Sequence, residues 1–232
     1  SSESPVTPFS EWAVTMGRNT HKKPGGKPPK PPQTGPQAED QINLTDEDSR
    51  IMKVAGGGFE QCYNAQAVVD TESMLVVAPH ITTAGNDKEQ VAPMLECIQA
   101  LPDGLNQPAR LLADTGFYSE RNVQHCHDAG VEPLIAVGRD AHHLDWRSRF
   151  EEPAPLATPT SHVEQMKHAL KTQAGRAAYA LRKQTVEPVF GIIKSVMGFR
   201  QFLLRGVGNV RNEWTLVCLA WNFKRMAVLR LQ

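Results

Sequence analysis

Residues 61–137 carry two kinds of apolar spacing, and the order in which they alternate restricts the fold more than any other feature of the chain. From 61 to 70, Tyr63, Ala65, Ala67 and Val69 recur at every second position, the period of a strand with one buried face. Thr71, Glu72 and Ser73 make a short hairpin connection to a second apolar, β-rich run at 74–82. The spacing then changes. Val91, Met94, Leu95 and Ile98 recur at helical intervals within 87–101, with Asn86 or Asp87 as the cap. Residues 110–113 read as a strand, 119–129 as a helix capped by Ser119 and stopped by Gly130, and 132–137 as another strand. Strand, strand, helix, strand, helix, strand predicts an α/β domain: a mixed sheet flanked by helices.

Two polar features interrupt these elements. Asp114 ends the strand at 110–113, just before a turn at Gly116. An acid at the C-terminal end of a buried strand is a common place for a metal ligand, and an Asp before Gly is equally a frequent turn former. The second feature is the segment 179–194, where one carboxylate, Glu187, stands among Tyr179, Arg182, Lys183 and Lys194. Helical steps of four and seven put Tyr179, Lys183, Glu187 and Lys194 on one face. Arg182 points about 140° away at ~100° per residue unless the helix bends, and Pro188 predicts a bend or a fresh helix start. A lone acid ringed by base suits a metal ion held against phosphates. An amphipathic helix with ordinary ion pairs shows the same pattern.

Charge narrows the choice. The formal net charge is zero, but it is unevenly spread. After Lys171 the only acids are Glu187 and Glu213, against Arg176, Arg182, Lys183, Lys194, Arg200, Arg205, Arg211, Lys224, Arg225 and Arg230. That asymmetry implies a polyanionic partner for the C-terminal third, most simply DNA. The cysteines are scattered with no Cys-x-x-Cys pair, as in a reduced cytosolic protein, and His125-Cys126-His127 is too tight for a zinc site. No membrane-spanning apolar run is present, so the expected location is the cytoplasm.

Residues 1–40 read as a flexible Pro/Lys-rich arm, and 41–232 as the folded core, with a Pro-rich linker or insertion at about 138–160. Asp46, Glu47 and Asp48 lie in an acidic patch that lacks the Gly and terminal Glu of a calcium loop, and Gly56–Gly58 reads as a flexible turn. Helical patterns resume at about Ser161. A long terminal helix is predicted from Val207, with Trp214, Leu216, Leu219, Trp221, Phe223 and Met226 as core.

Taken together, the segments at 113–120 and 179–194 resemble the DDE transposases of bacterial insertion sequences, which have an RNase H-like catalytic core. Stretches 43–52, 58–70 and 198–206 support the resemblance, which covers roughly residues 40–232. It implies DNA cleavage and strand transfer with Mg²⁺ or Mn²⁺. Asp114 and Glu187 would be catalytic and metal-binding, the second and third acids of a triad. Tyr179, Arg182, Lys183 and Lys194 would contact the DNA, with transposon ends and target DNA as partners, a homodimer on DNA as the assembly, and the bacterial nucleoid as the place of work. The family signature puts three residues between its Arg and Glu. Here Arg182 has four and Lys183 has three, so either cation can fill the part. The first acid belongs on the first strand, ahead of the Lys/Pro-rich connector. Residues 1–21 contain Glu3 and Glu11 but no Asp; Asp40, Asp46 and Asp48 sit in polar loop sequence, and Asp70 ends the second strand. The expectation is a core lacking its first strand, in a piece of a longer transposase or a decayed copy, catalytically silent by itself. A non-catalytic DNA-binding relic and an RNase H-like nuclease without strand transfer are the alternatives.

Overall fold

The computed structural model describes residues 11–16 (as backbone), 43–54, 57–138, 151–156 and 160–230. Its main sheet has five strands in the order β5-β4-β1-β6-β7: β1 Glu11–Met16, β4 Asn64–Asp70, β5 Val76–Thr82, β6 Arg110–Ala113 and β7 Glu132–Ile135. β1 runs antiparallel to β4 and parallel to β6, with Trp12 opposite both Asp70 and Leu111, and Val14 opposite both Val68 and Ala113. The expectation of a missing first strand is therefore wrong. Residues 11–16 lie at the centre of the sheet, inside what reads as an arm. Pro/Lys-rich surroundings hid a strand whose pairing comes from long-range partners on both sides. Residues 1–10 and 17–40 of the predicted arm lie outside the described residues.

The predicted strand at 61–70 is two strands. β2 (Arg50–Lys53) and β3 (Phe59–Cys62) form a separate hairpin, and β4 begins at Asn64. Gly57 and Gly58 both take positive φ in the turn between β2 and β3, a conformation open to glycine. Pro79 within β5 is accommodated because β5 is an edge of the sheet. The open side of that edge is covered by the terminal helix α5 (Val207–Leu229), whose Asn222 amide bonds both the N–H and the C=O of Val76.

Alternation in the strands sends side chains to two cores. On one side Val68, Leu111, Ala113 and Ile135 pack against α1 (Val91–Gln99) and α2 (Glu120–Asp128). On the other, Ala67, Val69, Leu112 and Leu134 meet α4 (Gln173–Ser195) and α5. Ser119 caps α2 by accepting from the Asn122 N–H, and Gly130 ends it at φ 70°, both as predicted. A short helix α3, His162–Ala169, starts with a Ser161–Glu164 capping box where helical sequence resumes. Of the 138–160 linker, residues 151–156 are irregular and 139–150 and 157–159 lie outside the described residues.

Three local expectations change. α1 begins at Val91, and neither Asn86 nor Asp87 caps it; Asp87 is turned elsewhere. α4 passes through Pro188 without a break, its inward face formed by Ala178, Arg182, Thr185, Val189 and Ile193 at helical spacing. Burial of that face on the sheet outweighs one lost N–H bond. In α5 only Val210, Trp214, Cys218 and Trp221 are buried, whereas Leu216, Leu219, Phe223 and Met226 are exposed. An apolar helix supplies more hydrophobic residues than one sheet edge covers. Asp46 and Asp48 of the acidic patch accept from the Gly206 and Val207 N–H groups at the start of α5, carboxylates placed on a positive helix end.

Candidate active site

β6 alternates so that Leu112 faces the α4 side of the sheet, and Asp114, two residues on, emerges from the strand end toward that same side. Its backbone is extended, and its carboxylate caps the short 3-10 turn Thr115–Phe117 by accepting from the Gly116 N–H at 2.8 Å. The carboxyl is raised above the usual Asp range, first because it is buried. The Gly116 N–H and Arg182 pull it down, and Glu187 pushes it up. The two acids that lie 73 residues apart in sequence thus act on each other across the end of the sheet.

α4 supplies the opposite wall. Tyr179, Lys183, Glu187 and Lys194 follow one stripe, as predicted, with Lys183, Glu187 and Lys194 exposed and Tyr179 half-buried. Arg182 lies on the adjacent inward face and is buried, yet its Nη2 reaches Glu187 Oε1 at 3.4 Å. The long guanidinium arm spans the angular offset that separates the two Cα positions, so no kink is required. Its guanidinium carbon also sits 5.7 Å from the centre of the Tyr179 ring. Burial raises the Tyr179 phenol, with Arg182 opposing that rise. Arg182 therefore joins Tyr179, Asp114 and Glu187 in one group. Lys183 points to solvent on the outer stripe, and the Lys194 ammonium lies 5.8 Å from the Phe190 ring centre.

A further acid belongs to this place and was missed in the sequence. Asp87, on the loop after β5, is buried, and its Oδ1 accepts from Asn64 Nδ2 at 3.1 Å and Gln66 Nε2 at 3.5 Å. Burial pushes its carboxyl up to about 6, opposed by the Asn64 and Gln66 amides and assisted by the charge of Asp114. Gly116 lies between the two Asp side chains. A Cβ placed there would be 2.9 Å from Asp114 Oδ1 and 3.1 Å from Asp87 Oδ2. Only glycine leaves both oxygens that position. The available signal was the pair Asn64 and Gln66, two amides on one face of an otherwise apolar strand start.

Of the sequence candidates for a first acid, Asp46, Asp48 and Asp70 do not join this group, and Glu3 and Asp40 lie outside the described residues. Val14 pairs with Ala113, so Thr15 and Met16 occupy the end of β1 beside Asp114, and the single acid of β1, Glu11, lies at its other end. Asp70 pairs with Trp12, three residues or about 10 Å back along the sheet from the level of Asp114. Its Oδ2 accepts from the N–H and hydroxyl of Ser73, which makes it the brace of the β4–β5 hairpin. Among the described residues no three His, Cys, Asp or Glu side chains stand close enough to make a ready metal centre, and none of the described helices is long and apolar enough to cross a membrane.

A family model described as "Transposase DDE domain" matches residues 32–223, from between β1 and the small hairpin to within α5. No curated protein and no solved structure matches the chain.

Proposed function

The chain belongs to the DDE transposase domain family, and from that premise we propose that it acts on DNA by metal-dependent phosphoryl transfer, cutting transposon ends and joining them to target DNA. The observation that carries this reading is the meeting of Asp114, at the end of β6, with Glu187, Arg182 and Tyr179 of α4 on one face of the sheet. The strand order, with β1 central and parallel to β6, supports an RNase H-like core.

The residues suit Mg²⁺ or Mn²⁺. The donors are carboxylate oxygens, which hard divalent ions prefer, and Gly116 leaves a cradle between Asp114 and Asp87 that any side chain would fill. Such ions supply charge neutralisation at the phosphate and an activated oxygen nucleophile. Asp114 is fixed by its turn and would be the rigid ligand. Glu187 is exposed, is held on this side of α4 by Arg182, and would be the second carboxylate to hold the ion. Arg182 would offer its planar donors to a DNA phosphate, with Tyr179 beside it. Lys183 and Lys194, on the exposed stripe, contact flanking phosphates without reading sequence.

The test is nicking of plasmid DNA by the purified chain in Mg²⁺ or Mn²⁺, alongside salt-dependent DNA binding. Metal-dependent nicking that disappears in Asp114→Asn and Glu187→Gln, with DNA binding retained, is the expected result. DNA binding with no metal-dependent cleavage in any form would favour a non-catalytic DNA-binding protein. Cleavage without end joining would favour a nuclease.

A further inference from the structure

β1 presents Thr15 and Met16, not an acid, at the site end of the sheet, so a carboxylate triad cannot be completed from that strand. The structure places another carboxylate within reach. Asp87 is only 6% exposed, and both amide donors, Asn64 and Gln66, converge on one of its oxygens, Oδ1. No hydrogen bond from a described residue reaches Oδ2. That oxygen lies 3.1 Å from the point above Gly116 that is also 2.9 Å from Asp114 Oδ1. The two carboxylate oxygens are therefore no more than about 6 Å apart, within the span of a pair of divalent ions, and a single ion with bonds of about 2.1 Å joins them where they lie within about 4 Å. Packing two acids around a glycine is unfavourable without a cation. Two amides that orient Asp87 from behind are the outer support that metal ligands commonly have.

We infer that Asp87 is a ligand of the divalent cation, sharing it with Asp114 across the Gly116 cradle and supplying the carboxylate that β1 lacks. The inference rests on the proposed metal-dependent reading and deepens it. It follows that the site is assembled from the β5–α1 loop, the end of β6 and α4.

Mn²⁺ binding to the full chain, followed by electron paramagnetic resonance of free Mn²⁺, tests it. Asp114→Asn and Asp87→Asn should each weaken binding by about tenfold or more. If Asp87→Asn binds as tightly as the unaltered chain while Asp114→Asn does not, Asp87 is no ligand and the functional reading survives. If the unaltered chain takes up no Mn²⁺, both fall. Fe²⁺ with ascorbate and peroxide gives a readout on the unaltered chain, independent of whether Asp87→Asn folds. Backbone cuts near both residue 87 and residue 114, suppressed by excess Mg²⁺, support a shared ion, and cuts near 114 alone overturn it.

Discussion

Asp87→Asn should make the metal-free protein more stable while it weakens cation binding, and the size of the gain follows from the site. Burial raises the Asp87 carboxyl from 3.8 to about 6. At about 1.4 kcal/mol per pKa unit, holding it ionised in the fold costs up to about 3 kcal/mol. The sign is that of a raised acid. The folded state binds the proton more tightly than the unfolded chain, so the penalty is absent below the unfolded value. It grows as pH rises from about 4 to about 6, and is complete above that. Asn keeps an acceptor for Asn64 and Gln66 and turns its amide donor toward Asp114, so the substitution removes charge without orphaning a partner. For a domain of this size the gain is about 6–12 °C in melting temperature as an upper limit. Thermal melts in EDTA from pH 4 to pH 8 measure it: the variant should melt higher at pH 8, and the difference should vanish toward pH 4. Mn²⁺ at a fixed concentration should raise the unaltered chain more than the variant. A variant that melts at or below the unaltered chain at pH 8, or a difference independent of pH, would refute the argument.

Gly116→Ala drives a methyl to 2.9 Å from Asp114 Oδ1, so it should cost about 1–3 kcal/mol in urea denaturation and also weaken Mn²⁺ binding. Asp48→Ala removes an acceptor from the Val207 N–H at the start of α5 and should lower stability by about 1 kcal/mol in the same assay. Lys183→Ala and Lys194→Ala should each weaken DNA binding across sequences and reduce the salt-dependence slope by about one, measured by fluorescence anisotropy against salt concentration. Phe223→Ser, on the exposed side of α5, should change stability by less than about 0.5 kcal/mol. By contrast Trp214→Ala should cost about 3–5 kcal/mol, because that ring is buried and its Nε1–H donates to the Gln66 carbonyl at 2.8 Å.

Local chemistry was enough to read the elements that depend on local chemistry. The two-residue period of β4, the helical spacing of α1, the Ser119 cap, the Gly130 stop and the position of Asp114 at a strand end are all short-range signals, and each holds. The stripe of Tyr179, Lys183, Glu187 and Lys194 is likewise a matter of helical period. What tertiary structure decided involves partners distant in the chain. β1 alternates only over Trp12, Val14 and Met16, a short signal beside a Pro/Lys-rich segment, and its place at the centre of the sheet comes from β4 and β6, which offer hydrogen bonds on both sides. Arg182 joins the site because the sheet buries the face on which it lies, and a long side chain covers the rest of the distance. The exposed half of α5 follows from how much of that helix one sheet edge can cover. Asp87 looks like a helix cap in sequence, since Asn-Asp before a helical run is the usual capping pattern. Only the approach of Asn64 and Gln66, from one distant strand, and of Gly116, from a turn, sets its carboxylate beside that of Asp114.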